Sequence, residues 1–218
     1  MLKVLIAFGA RAVSQAQLTA ALWPDSDGDA GQQAFEVTLH RLRKMLGENA
    51  PLQLKDGLLT LDARRCWVDV WAFERLLSSL EADLRERKPD GLEALTRKLF
   101  TLYQGALLDR ESELPATLSL RERLRSRFLR NLKELGRHHE SLQAWDQATV
   151  CYLRALEVEP LAEEFYQRLM LGYRSLGRVA EGLATYERCR TVLKGMLGVE
   201  PNRETEALRQ SLESVEGI

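Results

Sequence analysis

The feature that most constrains this chain is an internal repeat. Leu132, Leu135, Ala148, Tyr152 and Ala155 return 34 residues later as Tyr166, Leu169, Gly182, Tyr186 and Cys189. Five apolar, small or aromatic positions at one fixed offset require the same supersecondary unit twice, each copy burying its apolar face against the next. The spacing inside each copy is helical, so the unit is a pair of helices. Small residues let the paired helices approach closely, and the tyrosines fill the groove between them. Pro160 closes the first copy. With only 6 Pro and 14 Gly among 218 residues, and Leu, Ala, Glu and Arg abundant, the whole chain favours helix.

A 34-residue period of this kind is that of tetratricopeptide-like repeats. Upstream, residues 73–84 and 92–103 read as a degenerate helical pair split by Lys88-Pro89-Asp90. Residues 204–215 read as a capping helix after Pro201.

The first third of the chain is organised differently. Residues 2–8 form an apolar helix that begins abruptly, and 9–13 read as a connector. Ser14-Gln15-Ala16-Gln17 is a capping box opening a helix that carries Leu18, Ala21 and Leu22 and stops at Trp23-Pro24. A polar turn follows, in which Asp29 is expected to cap the next helix, 30–46. Phe35, Leu39, Leu42 and Leu46 fall on one buried stripe of that helix. Gln33, Glu36, Val37, His40, Arg41 and Lys44 lie on the other side, and Gly47 ends the helix. Asp56-Gly57 between the apolar runs 52–55 and 58–61 predicts a hairpin. Three short helices and a hairpin are the order of a winged helix-turn-helix, whose outer helix face can enter a major groove while the hairpin meets the flanking backbone. The expected fold is therefore mainly α: a winged helix-turn-helix over 1–66, then tetratricopeptide-like α-helical repeats over 67–218.

Charge and cysteine content narrow the function. Lys and Arg number 31 against 32 Asp and Glu, so the net charge is −1 and no overall basic surface argues for nucleic acid. Residues 1–66 sum to +1 and residues 67–218 to −2. Because DNA affinity comes largely from neutralising phosphates, a +1 domain with three aspartates before its outer helix is expected to bind weakly as a monomer. Cys66, Cys151 and Cys189 are an odd set without a C-x-x-C, which argues against disulfides or zinc and points to the cytoplasm. No apolar run is long enough for a membrane span. Phosphate-binding glycine loops, metal-ligand spacings and nucleophile–base pairs are all lacking, so no enzyme activity, cofactor or metal is expected.

Several short motifs then fall into a familiar order. They are Leu18-x-x-x-Leu22-Trp23-Pro24-Asp25, the run Ala34 to Gly47 ending in Arg41-Leu42-Arg43-Lys44-Met45-Leu46-Gly47, and Val68-Asp69 with Phe73-Glu74. Leu102-Tyr103-Gln104-Gly105-Ala106-Leu107-Leu108 and Leu197-Gly198-Val199-Glu200-Pro201 complete the set. Together these resemble the bacterial transcriptional activator domain proteins, of the type found in Streptomyces antibiotic regulators. The resemblance covers nearly the whole chain. It implies a winged helix of the response-regulator type, followed by the helical domain, in a transcriptional regulator that binds double-stranded promoter DNA. It also implies homo-oligomers and contact with RNA polymerase. Carried over by position, Arg41 is implied to read bases, while Thr38, His40 and Arg43 meet phosphates and Lys55 serves the hairpin. Lys44 joins Arg41 and Arg43 in the local basic cluster. Two departures stand out. The small N-terminal sheet of such winged helices is missing, which points to a fragment of a longer protein with a sensor or ATPase domain upstream. The hairpin carries Gly57-Leu58-Leu59 where the family has a Gly-Tyr pair.

Blander readings compete at several positions. Arg41 and Arg43 can instead dock the helical domain by pairing with its acids, which would make the chain an interaction scaffold without DNA binding. His40 reads more simply as a solvated surface residue. His138 and His139, adjacent on a helix, point about 100° apart and cannot share a metal. Cys189 occupies a small packing position. Trp23, Trp67 and Trp71 are expected in an interdomain core. The arginines of 121–127 read as a solvated face, with Leu124 and Phe128 buried beneath.

Overall fold

The structure is a computed structural model and describes residues 1–47, 49–86, 91–107 and 115–216. Lys88-Pro89-Asp90, expected to break a helix, and Leu108 lie outside the described residues. The chain divides into two compact units, Met1–Arg75 with Leu102–Leu124, and Leu76–Thr101 with Arg125–Ile218.

In the first unit, α1 (Leu2–Ala7) leads through a tight bend to β1 (Val13–Ser14), α2 (Gln15–Leu22) and α3 (Gly28–Leu46). A hairpin of β2 (Leu52–Lys55) and β3 (Leu58–Leu61) follows. The sheet order is β1-β3-β2, antiparallel throughout, with Leu52 opposite Leu61 and Val13 opposite Leu59. Asp56 and Gly57 both take positive φ, 51° and 71°, the two-residue turn whose twist suits a hairpin.

The segment 9–13 is more than the expected connector, because Val13 and Ser14 add a third strand. Ala10 and Ala12 sit at φ of 61° and 49°, a left-handed backbone costly for alanine. They are held there by β3: Leu61 N–H donates to the Ala10 carbonyl at 2.8 Å, and Ala12 N–H donates to Thr60 Oγ1 at 2.9 Å. Ser14 does cap α2, accepting from Gln17 N–H at 3.1 Å. Asp29 does not cap α3. The helix starts at Gly28 with Asp27 in the cap position, and Asp29 falls in the first turn. The core gathers Val4, Leu5, Leu18, Phe35, Leu39, Leu59 and Leu61, with Trp23 and Trp71 packed partly buried against it. Trp67 departs from its expected place and stands 69% exposed.

The second unit is helical. It holds most of α4 (Asp69–Glu86), α5 (Leu92–Leu102) and α6 (Pro115–Ser141). It continues through α7 (Trp145–Val158), α8 (Glu163–Ser175), α9 (Val179–Leu197) and α10 (Arg203–Glu216). Successive helices from α7 to α10 pack on one another, and α8 also meets α10. All ten positions of the 34-residue repeat are buried. Tyr152 lies so close to Gly136 on α6 that a Cβ added there would fall 2.4 Å from its ring. Gly182 on α9 likewise makes room for Leu212 on α10.

Two of the three repeat tyrosines end on a carboxylate, and the third, Tyr166, donates to the Pro160 carbonyl at 3.0 Å. Tyr152 donates to Glu140 Oε1 at 2.7 Å while Arg168 holds Oε2 at 3.1 Å. Tyr186 donates to Glu206, which Arg209 holds at 3.1 Å. Burial and that carboxylate push the Tyr186 hydroxyl up to about 12. Cys189 is fully buried, and burial raises its thiol to about 12, as a packing residue requires. Gly198 ends α9 in the left-handed conformation, and Glu200 receives Arg190 at 3.0 Å and Lys194 at 2.8 Å. That is the physical content of Leu197-Gly198-Val199-Glu200-Pro201.

The arginines of 121–127 are struts, not the expected solvated face. Within the first unit, Arg121 donates to the Leu107 carbonyl at 2.7 Å and Arg123 to Glu74 at 2.9 Å. Within the second, Arg125 pairs with Glu159, and Arg127 forks onto Glu81 at 2.9 and 2.8 Å. Leu124 and Phe128 are buried as expected.

Gly136→Ala is expected to lower stability by about 1–3 kcal/mol, because overpacking against Tyr152 outweighs the gain in helix propensity. Gly195→Ala, on α9 with open space around its Cβ position, is expected to be neutral or stabilising. Denaturant unfolding followed by circular dichroism checks both. The Arg127 fork holds the Glu81 carboxyl at about 2, below its ordinary 4.5. The stability this supplies is complete above pH 4.5 and is lost as pH falls toward 2. Glu81→Gln is expected to flatten the acid dependence of unfolding over that interval.

Candidate nucleic-acid interface

α3 buries Gly31, Phe35 and Leu39 against the first core. At 100° per residue this turns Gln33, Glu36, Val37, His40 and Lys44 outward, with Arg41 on one edge, and all of these are exposed. Gly31 sets the approach of α2, since a Cβ there would lie 2.7 Å from Thr19 Cγ2.

The six residues singled out from sequence do not all share this face. His40, Arg41 and Lys44 do, whereas Thr38 is half-buried on its flank. Arg43 stands two residues from Arg41, which on a helix is about 160° around the axis. Its guanidinium is partly buried and donates to the Leu52 carbonyl of β2 at 3.3 Å. Arg43 therefore ties the end of α3 to the hairpin. Lys55 is exposed beside the hairpin turn.

Charge on this unit is polarised along α3. Asp25, Asp27 and Asp29 are exposed around the helix start. Asp56 and Gly57 of the hairpin turn line a shallow concavity with Ser26, Gly28 and Gln32, so the turn belongs to that acidic end. The other end carries Arg41, Arg43 and Lys44. Beside it, Arg65 donates to Asn49 Oδ1 at 3.2 Å, and Arg64 forks onto Asp62 at 3.1 and 3.0 Å. The hydrogen bonds and charge of Arg64 pull the Asp62 carboxyl below its usual range. Gln33 and Val37, central on the exposed stripe, follow from helical period alone. Arg64 and Arg65 do not, because only the sheet register brings them to α3.

Among the described residues no group of three or more His, Cys, Asp and Glu side chains is placed to hold a metal ion. The His138 and His139 rings stand edge to face, 5.9 Å apart. No helix of the described residues is long and apolar enough to cross a membrane.

Comparison with known proteins supplies the family. Residues 68–213, from just before α4 into α10, match the model of the bacterial transcriptional activator domain. The chain belongs to that family.

The family match covers the helical part and leaves α3 and the hairpin outside it. Relatives extend further. The chain is 25% identical over 224 residues to the regulatory protein AfsR of Streptomyces griseus, covering 97% of this chain and 22% of that protein. It is 29% identical over 199 residues to the transcriptional regulator RedD of Streptomyces coelicolor, covering 88% of this chain and 56% of that one. The chain thus spans about a fifth of the first relative and about half of the second. The solved structure of Mycobacterium tuberculosis EmbR in complex with a low-affinity phosphopeptide has the same fold. It gives a TM-score of 0.67 at 17% identity, over 97% of this chain and 58% of that one.

Arg43→Ala is expected to destabilise the first unit by about 1 kcal/mol through the lost bond to the Leu52 carbonyl. Arg41→Ala, on the open face, is expected to change stability by less than about 0.5 kcal/mol. Thermal unfolding of the two variants separates the roles.

Proposed function

We propose that this chain is the DNA-binding and helical-repeat portion of a cytoplasmic transcriptional regulator. In this reading α1–α3 and the hairpin form a winged helix-turn-helix that docks α3 in the major groove of double-stranded DNA. Arg41 reads base edges, His40 and Lys44 meet the backbone, and Thr38 and Arg43 support the docking from its flanks. The observation that carries this reading is the outward stripe of α3. A 19-residue helix with one face committed to the core presents a polar, cationic opposite face to solvent. A bidentate Arg41–guanine pair would be worth about 1–3 kcal/mol of discrimination.

The helical unit, α6–α10, reads as a tetratricopeptide-like array that serves oligomerisation or partner contact. RNA polymerase and an upstream sensor or ATPase domain are the partners this reading implies. Val150 and Leu153, exposed on α7, support a contact role for this unit.

The test is selection from a random-sequence duplex library with the full chain. A short shared sequence is expected to be enriched, and Arg41→Ala is expected to lose that preference while keeping its fold. Binding without any enriched sequence, or none at low salt, would contradict the reading and favour a scaffold role.

A further inference from the structure

Residues 1–66, whose charges sum to +1, need their phosphate-gripping cations gathered in one place. We propose that the phosphate grip lies at the far end of α3, on Arg64 and Arg65 after β3, and that the hairpin turn with Lys55 contributes little. This rests on the proposed DNA binding and adds two residues to it.

Three observations converge. First, the segment 49–52 joins the end of α3 to the residues after β3. Arg43 donates to the Leu52 carbonyl at 3.3 Å, Asp62 N–H to the Pro51 carbonyl at 2.7 Å, and Arg65 to Asn49 at 3.2 Å. Arg64 and Arg65 are thereby fixed beside the end of the helix that carries Arg41 and Lys44. Second, both guanidiniums are exposed and pre-oriented. Arg64 is 87% exposed while its partner Asp62 is nearly buried, so the carboxylate holds the fork and leaves N–H donors facing solvent. Such planar, already ordered donors suit phosphate oxygens.

Third, the opposite end is electrostatically wrong for phosphate. Lys55 is followed by Asp56, and that turn shares its concavity with the start of α3, where Asp25, Asp27 and Asp29 stand exposed. From Gly28 to Lys44 the helix runs about 24 Å at 1.5 Å per residue. That is about three screening lengths at physiological salt, so the acidic end does not cancel the basic one. The +1 sum of residues 1–66 therefore conceals two opposite poles.

The experiment measures affinity of the full chain for a labelled 30-base-pair duplex of mixed sequence by fluorescence anisotropy, from about 50 to 200 mM KCl. Each phosphate contact contributes about 0.9 to the slope of log affinity on log salt. Arg65→Ala is expected to reduce that slope by about one and to weaken binding several-fold at the lower salt. Arg64→Ala is expected to reduce it less, because Asp62 already offsets part of its charge. Arg65→Lys keeps the charge and is expected to retain the slope, which separates phosphate contact from loss of the Asn49 bond. Lys55→Ala is expected to leave the slope unchanged. A slope that falls in Lys55→Ala and holds in Arg65→Ala would overturn the assignment while leaving DNA binding intact. No binding by the unaltered chain even at 50 mM would overturn both.

Discussion

One stripe of α3 is committed to the core, and that commitment governs what the first unit can present to anything else. Phe35 is fully buried and Leu39 nearly so, in the core they share with Leu18, Leu59 and Leu61. Rotating the helix to turn Arg43 outward would lift these side chains into water, at roughly 1.5–3 kcal/mol each. The helix therefore offers His40, Arg41 and Lys44, and surrenders Arg43 to the Leu52 carbonyl. Gly31 fixes the same rotation from the α2 side, where the Thr19 methyl leaves no room for a larger residue.

The helical unit follows a comparable rule with different residues. Glycines at 136 and 182 admit Tyr152 and Leu212, and Tyr152 and Tyr186 reach through to Glu140 and Glu206. Each carboxylate also takes an arginine, so the buried hydroxyl and the charge are satisfied together. Polar pairing continues where α10 begins: Gln167 donates to Thr205 and Asn202, and Asn202 caps the new helix. The arginines of 121–127 extend the pattern, spending their charge on neighbouring helices instead of a ligand.

Much of this was legible in the sequence because it rests on local period and turn chemistry. The repeat, the hairpin at Asp56-Gly57 and the capping of α2 by Ser14 all depend on residues close together in the chain. β1 was not legible, because Val13-Ser14 becomes a strand only when β3 supplies its partner, and Ala10 and Ala12 tolerate positive φ for the same reason. The tie from Arg43 to Leu52 was not legible either, because its acceptor is a backbone carbonyl, which leaves no signature in side-chain pattern. Arg64 and Arg65 carry no such local signal, because their neighbourhood is set by the register of β2 and β3. Trp67 shows the converse error, an aromatic assigned to a core that the fold leaves exposed.

The central claim is that α3 and its basic end form the surface that meets DNA. Backbone amide shifts of the full chain, followed by NMR while duplex DNA is added, test it most directly. The account predicts shifts concentrated over residues 37–44 and 64–65, with α9 and α10 unmoved. Shifts concentrated on the helices α6–α10, with α3 silent, would contradict it.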